Sequence, residues 1–204
     1  MSLPVLSAVF LGLFMLLLQG YPALASLDAL IGMALYGGNS LLVSISQLLA
    51  VLGSPLGSLL LVTLFASWFY RKKDSAAAQA LLAGMLLCGI SNWVTKQLVN
   101  RPRPELEHLL AASGSSFPSG HGMSAFTLGF LLACLLTRHY PRLRIGWLVL
   151  AASWILLSGL GRLVLGVHYF SDVLAAYALA AALSCAVYDC YRRRVSAQHA
   201  ALRG

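Results

Sequence analysis

The segment Tyr169–Tyr191, with the sequence YFSDVLAAYALAAALSCAVYDCY, decides the fold, and Arg192-Arg193-Arg194 follows it directly. Its length suits the hydrocarbon core of a bilayer, which a helix of roughly 20 mainly apolar residues can cross. Lys and Arg cluster at the cytoplasmic ends of membrane helices. The segment therefore predicts a membrane-spanning helix that ends in the cytoplasm.

Five further stretches of the chain have the same apolar character. They are Leu3–Leu18, Leu56–Tyr70, Ala76–Val94, Met123–Thr137 and Ile145–Leu160. Tyr21–Gly53 is also apolar, but proline, aspartate and paired glycines interrupt it, and Ser44 and Gln47 share one helical face. This pattern favours one or two amphipathic helices at the interface over a seventh crossing. The sequence thus predicts an all-α, polytopic membrane protein with six transmembrane helices and interfacial helices between the first and second spans.

The composition supports a membrane protein. Hydrophobic residues make up 59% of the 204 residues and charged residues 10%, with a mean hydropathy of +0.81. A soluble domain usually carries about 25% charged residues. The 14 Lys and Arg against 6 Asp and Glu give a net charge of +8, which in a soluble protein would suggest a nucleic-acid partner. In a membrane protein, the positions of the cations relative to the spans indicate whether they set the topology or bind a ligand.

The cations divide between the two faces of the membrane. With six spans, most of them fall on one face, which the positive-inside rule makes cytoplasmic. This set comprises Arg71, Lys72, Lys73, Arg138, Arg142, Arg144, Arg192, Arg193, Arg194 and Arg203. The other face receives Lys96, Arg101, Arg103 and Arg162. Both termini are then cytoplasmic, and we predict no nucleic-acid partner.

The start of the chain has two interpretations. Ala23-Leu24-Ala25 resembles a small-residue cleavage site, which would make residues 1–25 a signal peptide. Those residues contain no Lys or Arg, however, whereas a signal peptide begins with a positively charged region. We therefore expect this segment to be retained as the first span, and residues 1–204 to form one domain.

The cations of the second face lie close to residues that suit phosphate binding. Lys96, Arg103 and Arg162 are donors without acceptors, which suits the oxygens of a phosphoryl group. Ser119 and Gly120 open the fourth span. Backbone N–H groups at a helix start are unpaired and the helix dipole is positive there, so an anion is favoured. Together these residues form a candidate phosphate cradle.

Two histidines and an aspartate complete the set. His168 and Asp172 are four residues apart, so on a helix they share a face within hydrogen-bond reach. A carboxylate that holds one imidazole nitrogen fixes the tautomer and leaves the other nitrogen as a nucleophile. His121, at another helix start, can then protonate the leaving oxygen. The set predicts phosphoryl transfer through a phosphohistidine that water hydrolyses, and it leaves Arg101 as an auxiliary.

Each of these residues also has an ordinary structural explanation. A Lys or Arg at the end of a membrane helix often anchors it at the interface, Ser119 could simply cap a helix, and a single histidine could serve packing. Asp172 could cap the sixth helix. The four cysteines lie in apolar helices and form no metal-ligand pattern. The structural explanations would have to coincide in three separate segments, so the catalytic interpretation is favoured.

The spacing of three motifs resembles that of the type 2 phosphatidic acid phosphatase (PAP2) superfamily. The motifs are Lys96-(six residues)-Arg103-Pro104, Pro118-Ser119-Gly120-His121 and Arg162-(five residues)-His168-(three residues)-Asp172. One position departs from the family, because Gly161 stands where the third motif usually begins with serine. A hydroxyl that could support the site is therefore missing from the motif.

The resemblance implies a role for each motif residue. His168 is implied as the nucleophile, Asp172 as its partner and His121 as the general acid. The implied phosphate ligands are Lys96, Arg103, Ser119, Gly120 and Arg162. The resemblance also implies a metal-independent phosphatase that needs no cofactor.

The position of the site suggests a lipid substrate. A site at the outer ends of membrane helices suits a phosphate at the bilayer surface whose hydrocarbon chains stay in the lipid. By resemblance to short bacterial members, we expect a protein of the bacterial cytoplasmic (inner) membrane whose site faces the periplasm or the cell exterior. Undecaprenyl diphosphate is the expected substrate, with phosphatidylglycerophosphate and phosphatidate as alternatives.

Two other classes of function remain open. One is a transporter of anionic lipids, although the spans carry no charge in their middle and no repeated pair of broken helices. The other is a protein that binds lipid phosphate without turnover, which would not require His121 or the His168–Asp172 pair. The sequence makes no prediction of the oligomeric state.

Overall fold

The computed structural model describes residues 1–201, so Arg203 lies outside the described residues. Within this range the regular structure is entirely helical, as predicted. The α-helices are α1 (Leu3–Gly20), α2 (Ala25–Leu35), α3 (Ser40–Gly53), α4 (Pro55–Arg71), α5 (Ser75–Val99), α6 (Gly120–His139), α7 (Arg144–Val164) and α8 (Phe170–Ala201). Two 3-10 helices, Tyr21–Leu24 and Pro141–Leu143, join α1 to α2 and α6 to α7.

Five helical stretches of the described chain are long and apolar enough to cross a membrane. They are Leu3–Leu35, Ser75–Val99, Gly120–His139, Pro141–Val164 and Phe170–Gln198. The pair α3 and α4 passes the same test when taken together, with a bend of 61° between the two helices. Counting that pair as one bent span gives six, which agrees with the predicted fold.

The region between the first two spans differs in detail from the expectation. The sequence predicted interfacial helices from Tyr21, but α2 continues the helical stretch of α1 as far as Leu35. The sharp bend comes later, between α3 and α4, where the Ser54 hydroxyl accepts a hydrogen bond from the Gly57 amide (3.1 Å). Pro55 occupies the first turn of α4, where a missing N–H costs nothing. A cap and a proline thus start the new helix at the bend.

Helix α8 lies at the centre of the bundle, where α1, α5 and α6 pack against it. Small side chains allow membrane helices to approach closely. The buried alanines of α8 are Ala175, Ala176, Ala178, Ala180, Ala181 and Ala182. Ser7 near the start of α1 donates to the Ala182 carbonyl (2.7 Å), and Asp28 in α2 accepts from the Ser171 amide (2.8 Å). The stretch α1–α2 therefore runs antiparallel to α8.

The bundle has two chemically distinct ends. At one end the Asp74 carboxylate accepts hydrogen bonds from His139 Nε2 (3.0 Å) and the Tyr191 hydroxyl (3.1 Å). The predicted cytoplasmic cations that lie within residues 1–201 flank this end. The other end brings together the last turns of α5 and α7 and the first turns of α6 and α8. This second end carries the three motifs.

Large apolar side chains cover the outer surface of the bundle. Leu16 on α1, Leu64 on α4, Leu86 on α5 and Leu150 on α7 are each more than half exposed. A soluble monomer rarely exposes apolar surface on this scale. In a bilayer the same side chains contact lipid, which accounts for their position.

Gly159 marks a contact between α7 and α8 that has no room for a side chain. A methyl group there would lie 1.9 Å from the Tyr177 hydroxyl oxygen and 2.8 Å from Val173 Cγ1. Gly159→Ala should lower the free energy of unfolding by about 1–3 kcal/mol, as other overpacked cores do. Thermal unfolding in detergent, followed by tryptophan fluorescence, measures the change. The matched control is Gly146→Ala in the same helix, where nothing lies within 4 Å of the added carbon; equal losses in both variants would contradict the packing.

Candidate active site

The three motif segments meet at the end of the bundle opposite Asp74. Lys96 lies in the last turn of α5, Arg162 lies in the last turn of α7, and Ser119 caps the start of α6. Hydrogen bonds and charge interactions link the predicted site residues to one another, so they lie together at this end of the bundle. The residues are Lys96, Arg103, Ser119, Gly120, His121, Arg162, His168 and Asp172.

His168 and Asp172 contact each other, but not along a helical face as predicted, because His168 lies before α8 begins at Phe170. His168 Nδ1 lies 3.4 Å from Asp172 Oδ2. On the other side of the ring, Arg103 Nη1 lies 3.5 Å from His168 Nε2. A guanidinium can only donate, so Nε2 is the acceptor, and in the neutral ring the proton is on Nδ1, facing the carboxylate. This tautomer leaves the Nε2 lone pair on the side of the cations.

Burial keeps the His168 ring neutral. Its side chain is only 4% exposed, and loss of solvation disfavours the imidazolium form. Burial therefore lowers the pKa of His168 from 6.5 to about 4, although the hydrogen bond and the charge of Asp172 act in the opposite direction. Arg103 and Lys96 lower it further. At neutral pH the ring can act as a nucleophile without first losing a proton.

Lys96 and Arg103 are held by carbonyl oxygens. Lys96 Nζ donates to the Ser115 carbonyl. The Arg103 guanidinium donates to the carbonyls of Val167 (2.7 Å), Ser113 (2.8 Å) and Gly114 (3.1 Å). These carbonyls orient the cations but do not neutralise them. Burial lowers the pKa of Arg103, while the charge of Asp172 raises it.

Arg162 is a buried cation with few partners. It is 2% exposed, and Nη2 makes only a long contact of 3.5 Å to the Ser46 carbonyl. Within residues 1–201, Arg162 Nε has no hydrogen-bond partner. Lys96, Arg103 and Arg162 also form no ion pair with a carboxylate in the described chain. A buried charge without a counter-charge is unfavourable, so an anion bound among these side chains would stabilise them.

Ser119 and Gly120 form the start of α6 that the sequence predicted. The Ser119 hydroxyl accepts a hydrogen bond from the Gly122 amide (3.3 Å), and the Ser119 amide donates to the Asp172 carbonyl (3.2 Å). A Cβ on Gly120 would lie 3.2 Å from Asn92 Oδ1. Ser119 is therefore a helix cap, as the structural alternative held, and it also ties the start of α6 to the first turn of α8.

His121 packs against α3, a contact that the sequence analysis did not foresee. Its Nε2 lies 3.1 Å from the Ala50 carbonyl, which can only accept, so Nε2 carries a proton. A Cβ on Gly53 would lie 3.2 Å from His121 Cδ2. Helix α3 thus forms a wall of the site and holds one face of the ring. The other ring nitrogen, Nδ1, remains for proton transfer.

Gly161, the position that departs from the family motif, allows α3 to pack closely on α7. A Cβ at this position would lie 3.3 Å from both Cβ and Oγ of Ser46. Ser46 therefore occupies the space into which a side chain at position 161 would extend. A hydroxyl is present beside Arg162 after all, but it comes from α3.

Three further polar residues, which were not predicted as catalytic or phosphate-binding, contact the site. Ser116 donates to Asp172 Oδ2, and Arg101 donates to Asp172 Oδ1 (2.7 Å) and to Asp28 Oδ2 (2.8 Å). Arg101 was assigned only as an auxiliary, and Asp28 only as a polar interruption. One signal was available, because Asp28 is the only acidic residue before Asp74. A single carboxylate in such an apolar stretch points to a buried partner.

Comparisons with known proteins show the family to which the chain belongs. A family model described as the PAP2 superfamily matches residues 77–196, more than half of the chain. Phosphatidylglycerophosphatase B of Bacillus subtilis (strain 168) is 34% identical over 115 residues, which are 55% of this chain and 56% of the relative. The match thus spans about half the length of that curated relative.

Solved structures share the fold over most of the chain. A transmembrane PAP2-type phosphatidylglycerolphosphate phosphatase from Bacillus subtilis has a TM-score of 0.85 at 26% identity, and the match covers 92% of this chain and 96% of that one. LpxE of Aquifex aeolicus has a TM-score of 0.66 at 22% identity, with 81% and 94% covered. The residues that match the family model include all three motifs. The chain therefore belongs to the PAP2 superfamily, as its motif spacing predicted.

Proposed function

We propose that the protein is a phosphatase that hydrolyses a lipid phosphate at the membrane surface through a phosphohistidine on His168. One observation carries the proposal: Lys96 and Arg103 lie near His168, Arg103 and Arg162 lie near His121, and none of the three cations has a carboxylate partner in residues 1–201. A phosphate group supplies both the negative charge and the acceptor oxygens that these donors lack. This charge pattern favours a phosphoryl substrate over an uncharged one.

In the first step the Nε2 lone pair of His168 attacks the phosphorus atom, and the P–O bond to the leaving group breaks. Arg103 lies 3.5 Å from Nε2, so it can hold the phosphate oxygens next to the nucleophile. Asp172 stabilises the positive charge that develops on the ring. The departing oxygen takes a proton from the imidazolium form of His121, which the negative charge of the bound phosphate stabilises.

In the second step water attacks the phosphorus atom, the P–N bond breaks and inorganic phosphate leaves. His121, now neutral, accepts the proton of the attacking water. The three cations and the amides at the start of α6 stabilise the charge on the transferring group in both steps. The sum is a lipid phosphate plus water giving the dephosphorylated lipid plus inorganic phosphate.

We further propose that this chemistry needs no metal ion or other cofactor. In metal-dependent phosphatases the ion neutralises the transferring phosphoryl group. Here Lys96, Arg103 and Arg162 supply three positive charges around His168 and His121. A site built from cations attracts a phosphate directly, whereas it repels a free metal ion.

An apolar groove supports a lipid as the substrate. It lies between α4 and α7 on the side of the bundle, with α6 as its floor and a volume of about 640 Å³. Leu64, Trp68 and Trp154 are among its lining residues. Leu52 also lines it, one residue before Gly53, whose backbone lies against His121. A hydrocarbon chain in this groove would carry its phosphate towards the site.

Among lipid phosphates we propose phosphatidylglycerophosphate as the substrate. The Bacillus subtilis relative and the Bacillus subtilis solved structure are both named as phosphatases of that lipid. The expectation of undecaprenyl diphosphate rested only on the resemblance to short bacterial members. The named relatives favour its alternative.

We propose that the protein lies in the bacterial cytoplasmic membrane with both termini in the cytoplasm. The end of the bundle around Asp74 carries most of the cations, and the positive-inside rule makes that end cytoplasmic. The motif end then faces the periplasm or the cell exterior. A substrate in the outer leaflet would reach the site without crossing the membrane.

The proposed activity predicts phosphate release by the purified protein in detergent micelles with a chelator present. Phosphatidylglycerophosphate should be hydrolysed faster than phosphatidate or undecaprenyl diphosphate. His168→Ala should lower kcat by roughly a thousandfold or more, as the loss of other catalytic nucleophiles does. Intact cells that express the protein should hydrolyse a membrane-impermeant short-chain phosphatidate without lysis, because the site faces outward.

The matched control is His139→Gln at the opposite end of the bundle, which should keep wild-type turnover. Loss of activity with the chelator, or full activity of His168→Ala, would contradict the mechanism. Lipid movement across proteoliposomes without phosphate release would indicate a transporter. Saturable binding without turnover would indicate a lipid-phosphate binder.

The neutral state of His168 predicts an unusual titration. Because burial lowers the pKa of this ring to about 4, its NMR signal should stay in the neutral form as the pH falls through 6.5 and change only near pH 4. The spectrum of ¹⁵N-histidine-labelled protein in micelles measures this, and His168→Ala identifies the signal. The same shift means that folding stability present above pH 6.5 is lost as the pH falls towards 4. A midpoint near 6.5 would contradict the burial argument.

A further inference from the structure

The carboxylate of Asp172 is held by different partners on its two oxygens. Oδ2 faces His168 Nδ1 (3.4 Å) and accepts from the Tyr169 amide (2.9 Å). Oδ1 accepts from Arg101 Nη1 (2.7 Å), which also donates to the Ser171 hydroxyl (2.8 Å). Arg101 occupies one of the six unspecified positions of the first motif. The partner of the nucleophile is therefore itself fixed by a residue that the motif pattern does not name.

Arg101 is buried among two aromatic rings and two aspartates. Its side chain is 8% exposed. The guanidinium carbon lies 4.0 Å from the ring centre of Tyr169 and 4.5 Å from that of Tyr21, so the cation contacts the faces of two aromatic rings. Its second nitrogen, Nη2, donates to Asp28 Oδ2 (2.8 Å). The rings fix the plane in which Arg101 presents one nitrogen to each aspartate.

Asp28 reaches this cluster from α2, outside the residues 77–196 that match the family model. It is 2% exposed. Its Oδ1 accepts from the Ser171 amide (2.8 Å) and its Oδ2 from the Ser171 hydroxyl (2.6 Å). Asp28 therefore anchors both Arg101 and the start of α8. The first helical stretch thereby takes part in the architecture of the site.

We propose that Arg101 is a positioning residue that keeps Asp172 ionised and oriented towards His168, and that Asp28 holds the Arg101 guanidinium in place. The proposal rests on the proposed phosphatase mechanism, in which Asp172 must hold the proton of Nδ1. One guanidinium lies between two buried carboxylates and neutralises one of their two charges. Asp28 holds the guanidinium in place, and Arg101 holds Asp172.

Several other charged or titratable groups face the cluster. Lys96, Arg103 and His168 interact electrostatically with Asp172. Tyr169 interacts with Arg101 and both aspartates, and Glu105 lies near Tyr169. His121 lies close enough to His168 for the charges of the two rings to interact. Tyr21 contacts Arg101. Lys96 and Arg103 belong to the proposed phosphate cradle. Within residues 1–201, Arg101 is the cation that forms ion pairs with both aspartates.

Removing Arg101 alone should disturb the charge of Asp172. Arg101→Gln would leave two buried carboxylates close together, and such a pair takes up a proton because both cannot stay ionised. A protonated Asp172 no longer favours the Nδ1–H tautomer of His168. Asp28→Asn removes the second negative charge, so the double variant should restore the ionised state of Asp172. A purely structural role for Arg101 would not produce this restoration.

The test compares kcat against pH for wild type, Asp28→Asn, Arg101→Gln and the double variant. The assay uses micelles saturated with phosphatidylglycerophosphate, or with phosphatidate if the wild type hydrolyses it faster. Arg101→Gln should lower kcat at neutral pH at least about tenfold and move the acidic limb up by about one pH unit. KM should change little, because neither residue belongs to the phosphate cradle. The double variant should recover most of the shift. Asp28→Asn alone should lower kcat less than Arg101→Gln does and leave the acidic limb in place, because the amide oxygen can still accept from Arg101.

An unchanged acidic limb in Arg101→Gln, or a double variant as impaired as Arg101→Gln, would overturn the proposal. Size-exclusion chromatography and thermal unfolding in detergent identify variants that do not fold. If Arg101→Gln is one of them, Arg101→Lys decides: it keeps the charge but not the two-nitrogen geometry, so it should lower kcat with the acidic limb in place. Wild-type kcat in that variant would overturn the positioning role. A wild type without turnover would instead contradict the proposed function.

Discussion

The carboxylate of Asp172 is the interaction on which the rest of the site depends. It joins four separate parts of the chain, because it accepts from Ser116 in the loop, faces His168 before α8 and pairs with Arg101, which in turn is bound to Asp28 in α2. A buried carboxylate is tolerated only when such partners compensate it. The same contacts that stabilise the charge therefore also fix the nucleophilic ring and draw the helices together.

The cations at this end divide according to their counter-charges. Arg101 is paired with two aspartates, so its charge belongs to the protein's own architecture. Lys96, Arg103 and Arg162 are oriented by carbonyl oxygens and have no carboxylate partner in the described chain. Their charge remains available for a ligand. The positive net charge of the sequence thus has three uses: topology, internal structure and phosphate binding.

The sequence predicted the parts of this protein that local spacing determines. The six-span pattern and the start of α6 at Ser119 follow from local apolar periodicity and capping, and the structure has both. The His168–Asp172 contact is present too, but it does not come from a shared helical face, because His168 precedes α8. The contribution of α3 could not be predicted, because the contact of Ala50 with His121 depends on how distant helices pack. The Asp28–Arg101 pair was missed for the same reason, since it connects residues far apart in the sequence.

The proposed mechanism depends on a covalent phosphohistidine at His168, and trapping this intermediate tests the mechanism. The protein is mixed with phosphatidylglycerophosphate that carries ³²P in its terminal phosphate, and the reaction is quenched in alkali within one turnover. The protein is then digested, and the labelled peptide is identified by mass spectrometry. We expect the label on the peptide that contains His168. It should be stable in alkali, lost in acid and absent from His168→Ala. Rapid turnover without labelled protein, or label on any other residue, would contradict it.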